Sequence, residues 1–583
     1  MIVSAPTRGD EEKKWSVAGR WKVSSSRTAT VVATLTWLLG LLTIISALMP
    51  GQRGRVHYLT RIIGLPTEAS ATATAVAATL GMLLVWLASG LRRRKRRAWR
   101  AAVVVTAIVA VSHLAKGLDF EEAAVSLAML GLLVASRREF YALGDPVTRW
   151  MGLRVFVQLV LAGTVLGIVL LLFNQDRIVG NPSVWAELEH VVLGLVGVPG
   201  PLRFDSDRFS DIVTGTLLGF GALTAFATAY LVLRPSEPTP LLGPDDEARL
   251  RGLLDGHGQR DSLGYFALRR DKSVIWSPTH KAAITYRVVA GVALASGDPI
   301  GDPEAWPGAI EEFMELARLH AWVPAVIGCG EQGATIWRRE ADLDALELGD
   351  EAILDVAAFS LDGRPMRGVR QACARVERAG YTVRVRRASD IPPEEFTELL
   401  RVAAAWRGAA VERGFSMALS RLGDPADGDC VVATAHHDGA LRGLLHFVPW
   451  GTDGLSLDLM RRDRSADNGL NEFMIVQLVR ACGSLGVARI SLNFAVFRSA
   501  LERGERIGAG PVLRLWRGVL VFASRWWQIE TLYRFNVKFR PAWQPRFVSF
   551  PSTRDLPRIA VAALEAEAFL VRPHTLRRLL ARL

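Results

Sequence analysis

Two polar side chains interrupt an apolar strand pattern late in the chain. The segment Ser456-Leu-Asp-Leu-Met-Arg461 alternates as a β-strand and places Asp458 and Arg461 three residues apart. A carboxylate in an apolar strand must be ion-paired or must face a polar cleft, because burying it alone is costly. The pair is therefore either a structural ion pair or part of a reactive cleft, with Asp458 and Arg461 as the candidate catalytic residues.

A second apolar strand pattern ends on a polar residue. Ser491-Leu-Asn-Phe-Ala495 places Asn493 at the end of a predicted strand. A carboxamide in that position either caps a turn or faces a cleft formed where strands end. Asn493 is thus a second candidate for the same site.

Basic side chains occur in two clusters that would suit a polyanion. The segment Arg525–Arg546 interleaves aromatic residues with Arg534, Lys538 and Arg546, among others. Aromatic faces stack on unpaired bases and basic groups bind phosphate, so the segment is either a nucleic-acid surface or a core helix with a basic solvated face. A predicted helix before Gly380 adds further arginines, which would meet RNA or a membrane: Arg370, Arg375 and Arg378.

The usual nucleotide and metal motifs are missing from the sequence. It contains no Walker P-loop, no GxGxxG after a strand, no GxSxG elbow and no kinase motif set. The four cysteines form no CxxC pair, and adjacent His436 and His437 would point to opposite faces of a strand. The sequence therefore predicts no metal and no cofactor, with the cysteines reduced and structural.

The elements that must position these residues follow a proline-rich linker at 234–250, where four prolines occur within eleven residues. Strand and helix patterns then alternate as strand, strand, helix, strand, and a second series of similar order follows from residue 393. We predict an α+β region formed by a tandem duplication, with units at 251–388 and 389–555. An amphipathic helix is predicted at 556–583.

The first 233 residues have a different composition. Six apolar stretches predict about six transmembrane helices between residues 28 and 233. They are Thr28–Met49, Ala69–Leu91, Ala101–Leu114, Ala123–Ala135, Leu153–Phe173 and Ile212–Leu233. Most lysines and arginines of the connecting segments, including the run Arg92–Arg97, fall on one side, which predicts cytoplasmic termini in a multi-pass plasma-membrane protein, with residues 1–27 in the cytoplasm.

Length and charge agree with this division. The chain has 583 residues and a formal charge of +12, with 50% hydrophobic residues. It is too long for one compact domain and too apolar for a disordered chain. The positive charge suits nucleic acid or an anionic membrane.

Several segments, in this order, resemble the cytoplasmic domain of the multiple peptide resistance factor family, the phosphatidylglycerol lysyltransferases. They are Tyr265–Lys272, Ala295–Asp302, Leu348–Ala352, Gly414–Ser416, Leu457–Arg461, Ser491–Ala495 and Leu532–Pro541. The similarity covers about 250 to 555. It is greatest to the membrane-plus-synthase half of the actinobacterial two-part lysyl enzyme.

The resemblance implies a polytopic α-helical membrane domain followed by a cytoplasmic α+β domain of two tandem GCN5-related acyltransferase-like folds. It implies transfer of an amino acid from aminoacyl-tRNA to the hydroxyl of phosphatidylglycerol, with lysine as the expected amino acid. This transfer would lower the negative charge of the membrane and give resistance to cationic antimicrobial peptides. In relatives the Asp-x-x-Arg of this strand, here Asp458 and Arg461, lies in the site, and Ser416, Asn493 and Lys538 match positions assigned to substrate binding.

The sequence also departs from the family pattern. Many relatives have Asn where this chain has Ala374, and we expect this chain to work without the flippase domain of longer members and without a fused lysyl-tRNA synthetase. The expected partners are thus lysyl-tRNA, phosphatidylglycerol, the anionic membrane and a separate lysyl-tRNA synthetase.

Other functions stay open at this level. A CoA-dependent acetyltransferase would need a glycine-rich pyrophosphate loop, and Asp467-Asn-Gly-Leu-Asn-Glu472 lacks that pattern. A cell-wall aminoacyltransferase and a non-catalytic scaffold or lipid translocator are further alternatives. The sequence does not distinguish lysine from alanine, arginine or ornithine, or phosphatidylglycerol from cardiolipin or diacylglycerol.

Overall fold

A computed structural model describes residues 28–48, 67–117, 120–142, 146–233, 238, 240–408, 414–496 and 529–570. The chain divides into two compact units, Met1–Arg234 and Pro235–Leu583, called here the helical unit and the sheet unit. The predicted N-terminal segment 1–27 and residues 571–583 of the predicted C-terminal helix lie outside the described residues.

Each of the six apolar stretches forms a helix in the helical unit, and a shorter helix lies between the last two. The helices are α1 (Thr28–Leu48), α2 (Thr67–Arg92), α3 (Arg96–Gly117), α4 (Phe120–Ala135), α5 (Pro146–Leu172), α6 (Val184–Leu195) and α7 (Asp207–Leu233). Within the described residues, α1, α5 and α7 contain segments that are long and apolar enough to cross a membrane. Crossings by α2, α3 and α4 remain predictions.

The polarity of α1 is the reverse of that of a water-soluble helix. Many of its large apolar side chains, among them Val31 and Leu38, are exposed, whereas Thr36 and Thr43 are buried beside Val32 and Leu39. Each buried hydroxyl donates a hydrogen bond to the carbonyl four residues earlier, at 2.8 Å. An apolar exterior of this kind is what a lipid environment stabilises.

Small residues let α1 and α2 approach closely. A Cβ placed on Gly40 would lie 2.8 Å from the carbonyl oxygen of Gly81, and one placed on Gly81 would lie 2.9 Å from the carbonyl oxygen of Gly40. Close backbone approach through glycine is a common way for membrane helices to associate.

The sheet unit contains one mixed sheet with helices on both faces. Its strands are β1 (Ser273–Trp276), β2 (Ala282–Val289), β3 (Val292–Ser296), β4 (Ile300–Gly301), β5 (Val323–Cys329), β6 (Asp344–Asp355), β7 (Thr382–Arg387), β8 (Val431–His437), β9 (Ala440–Trp450), β10 (Gly454–Arg462), β11 (Arg489–Val496) and β12 (Ala542–Phe550). Its helices are α8 (Pro244–His257), α9 (Trp306–Leu319), α10 (Glu331–Ala341), α11 (Arg367–Arg378), α12 (Pro393–Arg407), α13 (Leu470–Leu485), α14 (Ile529–Val537) and α15 (Leu556–Ala566). The strand order is β1-β2-β3-β5-β12-β6-β11-β10-β9-β8-β7, and β4 pairs with β2.

The same connection occurs twice in this sheet. Antiparallel β2 and β3 are followed by α9 and by β5, which is parallel to β3. Antiparallel β9 and β10 are followed by α13 and by β11, which is parallel to β10. The predicted α+β region with two units of similar order is thereby confirmed, while their origin by duplication stays a prediction.

The boundaries between the two halves differ from the predicted ones. Strand β7 ends at Arg387, before the predicted boundary at 388, yet it pairs with β8 of the second half. Helix α11 also packs on the second half, where Val369 and Val376 join the core around α13. In the other direction, β12 inserts between β5 and β6 of the first half. The two halves are interlocked, because each half contributes elements that pack or pair within the other half.

The predicted linker at 234–250 is too long. Pro244 begins α8, since proline is favourable at the first helical position. Leu250 and Leu254 of this helix are buried against Phe266 and Leu419. The sheet unit therefore begins before residue 250.

Candidate functional site

The second parallel pair of strands is hydrogen-bonded over only part of its length. Strands β10 and β11 pair only over Gly454–Ser456 and Arg489–Ser491. Beyond these residues each strand has an irregularity, between Leu457 and Leu459 in β10 and between Ser491 and Phe494 in β11. A bulge leaves a residue outside the ladder and redirects its side chain, so Asp458 and Asn493 lie at the two bulges.

Asn493 bridges the two bulges. Its φ of +66° is left-handed, a conformation that asparagine tolerates better than most residues. Its Nδ2 donates to the carbonyl of Leu457, and its backbone N–H donates to Ser491 Oγ at 3.2 Å. Its Oδ1 is buried and has no hydrogen-bond partner among the described residues. Asn493 is therefore a bridge rather than a turn cap, with one acceptor left for a ligand.

Asn536 on α14 repeats this arrangement nearby. It is fully buried, and its Nδ2 donates to the carbonyl of Leu492 at 3.4 Å. Its Oδ1 likewise lacks a hydrogen-bond partner within the described part of the chain. The sequence reasoning missed this residue, although it lies within the Leu532–Pro541 segment.

Asp458 does not pair with Arg461. Its Oδ1 accepts a hydrogen bond from the N–H of Leu419 at 2.6 Å, and its Oδ2 lies 2.7 Å from His446 Nδ1. The side chains of Asp458 and His446 are 4% and 2% exposed. Both carboxylate oxygens are thus engaged inside the protein, so Asp458 holds β10, β9 and the loop around Leu419 together.

The histidine in this pair was not anticipated from the sequence. Burial disfavours the charged form of His446, but hydrogen bonds to Asp458 and Cys430 outweigh it and raise the pKa of His446 to about 10. The imidazole is therefore protonated at neutral pH, and the buried pair is ionic. The sequence showed only an Asp in an apolar strand. Its partner His446 lies twelve residues earlier in the chain and was not connected with it.

Arg461 lies near the end of β10 and reaches α12. Its Nη1 donates to the carbonyl of Ala403 at 3.0 Å. This contact directs Arg461 towards α12, while Asp458 is directed towards β9. The structure therefore does not bring the two predicted catalytic residues together.

A cavity of about 550 Å³ lies at the start of α13, and we call it the α13 cavity. Arg375, Arg462 and Lys538 contribute cationic groups to its lining, and Glu472 contributes a carboxylate. Lys538 Nζ donates to Glu472 Oε1 at 2.8 Å while half of the lysine side chain stays exposed. Of the predicted site residues, Lys538 and Arg375 thus meet in one cavity.

The other predicted arginines divide into exposed and buried residues. Arg370 donates to the carbonyls of Leu361 and Gly363, and Arg378 donates to the carbonyl of Ala374 at 3.0 Å. Both are exposed, as is Arg534. None of these three lines a described cavity, so an RNA contact at these residues stays a prediction.

The prediction that Arg546 belongs to a nucleic-acid surface is wrong. Its side chain is 5% exposed and forms ion pairs with Asp261 at 2.8 Å and Glu351 at 2.5 Å. It also donates to the carbonyl of Gly328 and to Ser262 Oγ. Because β12 is inserted between β5 and β6, this arginine lies in the interior of the unit and cannot reach RNA.

Ser416 is also buried rather than available to a substrate. Its Oγ donates to Glu567 Oε1 at 2.5 Å, and its N–H donates to the same oxygen at 3.0 Å. The N–H of Phe415 donates to the other oxygen, Oε2, at 2.6 Å. Ser416 thus anchors its loop on Glu567, which replaces the predicted role in substrate binding.

Two further buried charges were missed because only the tertiary structure buries them. Lys272 is fully buried, donates to Ser296 Oγ at 2.7 Å and lies 4.7 Å from the centre of the Phe415 ring. Burial, reinforced by the charge of Arg269, lowers the pKa of Lys272 to about 7. Burial and the neighbouring Asp261 raise the pKa of Asp298 to about 7. Both lie in sequence segments that carried the family resemblance.

Comparisons with known proteins agree with this architecture. Residues 251–550 match the family described as phosphatidylglycerol lysyltransferase, C-terminal. Residues 25–233 match the family described as the transmembrane region of lysyl-tRNA synthetase. The helical unit is thus a membrane region.

Curated relatives share the sequence over most of the chain. A lysylphosphatidylglycerol biosynthesis bifunctional protein LysX of Rhodococcus opacus is 46% identical over 504 residues, covering 84% of this chain and 44% of the relative. Its namesake in Mycobacterium avium is 44% identical over 577 residues, covering 95% of this chain and 48% of the relative. The chain therefore spans about half the length of these relatives.

One solved structure described as L-PGS from Bacillus licheniformis is 22% identical, with a TM-score of 0.47, and the alignment covers 57% of this chain and 99% of that one. The match to residues 251–550 covers more than half of the chain. The chain therefore belongs to the phosphatidylglycerol lysyltransferase family.

Proposed function

We propose that this chain transfers an amino acid, lysine, from aminoacyl-tRNA to a hydroxyl of phosphatidylglycerol. The observation that carries the proposal is the family membership of residues 251–550, together with relatives named for lysylphosphatidylglycerol biosynthesis. The product would lower the negative charge of the membrane and give resistance to cationic antimicrobial peptides.

The proposed reaction exchanges one ester for another. The lipid hydroxyl oxygen attacks the carbonyl carbon of the aminoacyl ester, the new C–O bond forms, and the bond to the ribose oxygen breaks. The proton of the lipid hydroxyl ends on that ribose oxygen, so atoms balance without ATP or a redox partner. Catalysis needs a hold on the α-ammonium, a route for the proton and donors for the tetrahedral oxyanion.

The region around the two bulges supplies groups suited to these tasks. The buried Oδ1 atoms of Asn493 and Asn536, which have no hydrogen-bond partner among the described residues, are acceptors that could bind an ammonium or a hydroxyl. The β10 bulge at Asp458 interrupts the register of the ladder, and we propose that backbone N–H groups at this bulge serve as oxyanion donors. We assign Asn493 to substrate binding, and Arg461 and Lys538 to the developing negative charge or a phosphate.

In this proposal Asp458 is a positioning residue rather than a base. Its carboxylate fixes the bulge from inside through His446 and Leu419. The predicted direct role in proton transfer or ammonium binding is less favourable, because the side chain is buried and both oxygens are engaged.

The helical unit would place the chemistry at the lipid. We propose a multi-pass arrangement in the plasma membrane with both termini in the cytoplasm, because the basic connecting segments fall on one side. Charged tRNA would come from a lysyl-tRNA synthetase, a partner whose product this chain consumes.

The direct test uses the full chain purified in detergent and reconstituted with phosphatidylglycerol vesicles. Radiolabelled lysyl-tRNA should give a labelled lipid that is separated by chromatography and identified by mass spectrometry. Alanyl-tRNA with the same vesicles, and lysyl-tRNA with cardiolipin or diacylglycerol vesicles, test the alternatives for donor and acceptor. If no aminoacylated lipid forms with any pair, the transferase proposal is wrong and a scaffold or translocator role is favoured.

A further inference from the structure

The α13 cavity combines features that are otherwise scattered over the sheet unit. It has a volume of about 550 Å³, within the range of small-ligand sites, and four elements contribute to its walls, α13 itself among them. Arg375 comes from α11, Arg462 from the end of β10, and Phe535 and Lys538 from α14 and the residue after it. These residues are up to 163 positions apart in sequence, so only the fold brings them together.

Among the described residues that line this cavity, three are cationic and one is anionic. Arg375 Nη2 donates to the carbonyl of Asn468 at 2.7 Å, and Arg462 Nη1 donates to the carbonyls of Ala466 and Asp467. These acceptors are neutral carbonyls of the loop that begins α13, so they orient the guanidinium groups without cancelling their charge. Glu472 is the one carboxylate among the described residues of the lining, and its ion pair is with Lys538. An anionic group in the cavity would therefore be favourable.

The loop that leads into α13 is shaped to leave this space open. Gly469 has a φ of +100°, and a Cβ there would lie 2.9 Å from the Cβ of Ala372 and 3.3 Å from Nη2 of Arg375. A larger residue would therefore push α11 and its arginine away. No side chain caps the start of α13 at Gly469, so its first N–H groups add to the positive potential.

The aromatic ring of Phe535 lies beside the cationic groups of the cavity. Phe535 is partly buried, its ring lies 5.7 Å from Lys538 Nζ, and it packs edge-to-face on buried Phe539 at 5.3 Å. Val369 and Pro365 add apolar surface to the same lining. A flat π face held firmly next to cations is how proteins bind unpaired nucleotides, by stacking the base and pairing the phosphate.

We infer that the α13 cavity binds a terminal nucleotide of single-stranded RNA, with its phosphodiester at Arg375, Arg462 and Lys538 and its base on Phe535. This inference rests on the proposed function for the identity of that RNA as the acceptor end of aminoacyl-tRNA. A phosphatidylglycerol headgroup would use the same cations but has no base to stack on Phe535. Arg462 and Phe535 are new site residues, which the sequence did not single out.

The experiment measures binding of a fluorescent RNA hairpin ending in single-stranded ACCA to the full chain in detergent, by anisotropy at several salt concentrations. We expect Arg462→Ala to weaken binding and to reduce the slope of log affinity against log salt by about 0.7, the loss of one phosphate contact. Phe535→Leu should weaken binding about tenfold without changing the slope, because it removes stacking but no charge. Arg480→Ala is the matched control, an exposed arginine on α13 that does not line the cavity.

Further binding measurements distinguish RNA from other possible ligands of the α13 cavity. A blunt hairpin without the ACCA end should bind weakly to the wild type, and its affinity should not depend on Phe535. Equal affinities of both variants and the wild type for the ACCA hairpin would overturn the inference. Displacement of the hairpin by phosphatidylglycerol vesicles or by coenzyme A, with no effect of Phe535→Leu on RNA, would assign the cavity to that ligand instead.

The outcome is distinguishable from failure of the proposed function. Variants that lose RNA binding in a chain that forms no aminoacylated lipid would support the cavity and refute the transferase. Unchanged RNA binding in variants of a chain that does form lysylphosphatidylglycerol would refute the cavity and leave the transferase intact. Thermal unfolding of each variant excludes a folding defect as the cause.

Discussion

The carboxylate of Asp458 lies 2.7 Å from Nδ1 of His446, and neither side chain is more than 4% exposed. The pair connects the bulged strand β10 to its antiparallel neighbour β9, at the register position where Leu459 opposes His446. Its second carboxylate oxygen holds Leu419. The residue that the sequence favours as catalytic therefore has a buried side chain whose two oxygens both contact the protein.

Substituting Asp458 should destabilise the protein before it changes any chemistry. Asp458→Ala leaves His446 charged in the interior and the Leu419 N–H unpaired, which should lower the free energy of unfolding by about 3–5 kcal/mol. Asp458→Asn keeps an acceptor for Leu419 and should cost less. Thermal unfolding of the full chain in detergent measures both, and an unchanged midpoint for Asp458→Ala would contradict a buried ion pair.

The same two variants separate a positioning role from a catalytic one. We expect Asp458→Asn to retain part of the lysyl transfer at 20 °C, because the bulge is still held. A proton-transfer role predicts that Asn abolishes transfer as completely as Ala. Initial transfer rates at a temperature where both variants are folded decide between these roles.

The stability contributed by His446 should depend on pH. Its folded pKa of about 10 lies above the ordinary value of about 6.5. The contribution is therefore complete below about pH 6.5 and is lost as the pH rises towards 10. The difference in unfolding midpoint between wild type and His446→Gln should shrink over this window. Lys272, whose folded pKa is about 7, acts in the opposite direction, so the difference between variants is measured rather than the absolute midpoint.

Substitution of Arg546 should mainly lower stability, whereas substitution of Arg375 should mainly weaken RNA binding. Arg546→Lys cannot maintain the contacts with both Glu351 and Asp261, so it should destabilise the chain by several kcal/mol while any loss of RNA binding follows from unfolding. Arg375→Ala should change stability by less than about 1 kcal/mol and weaken RNA binding. Parallel unfolding and anisotropy measurements test this, and a stable Arg546→Lys variant with selectively weaker RNA binding would restore the original prediction for Arg546.

Asn493 offers a test of the left-handed bulge. Asn493→Gly removes the hydrogen bond to Leu457 but relieves the unfavourable φ, so stability should change by less than about 1 kcal/mol. Asn493→Ala loses the bond without that relief and should cost about 1–3 kcal/mol. Both variants should lose transfer if Oδ1 binds substrate, and full transfer by Asn493→Gly would exclude that role.

Alanine substitutions at two glycines of the helical unit should change the stability of the protein in opposite directions. Gly40→Ala places a Cβ 2.8 Å from the Gly81 carbonyl and should destabilise the α1–α2 contact by about 1–3 kcal/mol. Gly131→Ala on α4 meets no atom within 4 Å and should stabilise the helix by about 0.5–1 kcal/mol. Unfolding midpoints in the same detergent compare the two, and equal midpoints would contradict the close packing.

The sequence by itself determined the elements that depend on local pattern. Apolar length set the helices of the helical unit, and alternation around turns set the strands and their repeated order, because these signals act over a few neighbouring residues. Ordered motifs also identified the family. The sequence placed Arg375 among the candidates through its charge, and Lys538 through charge, aromatic content and its match to a family motif.

Only the tertiary structure decided which polar residues face a ligand. Insertion of β12 between β5 and β6 buries Arg546, and the bulge in β10 turns Asp458 towards His446. The first event depends on strands far apart in sequence, and the second depends on how β10 is paired with the neighbouring strand β9. Burial of a charge depends on what covers it rather than on its neighbours in the chain. For the same reason Arg462, Phe535 and Lys538 form one cavity only after β10, α13 and α14 have packed together.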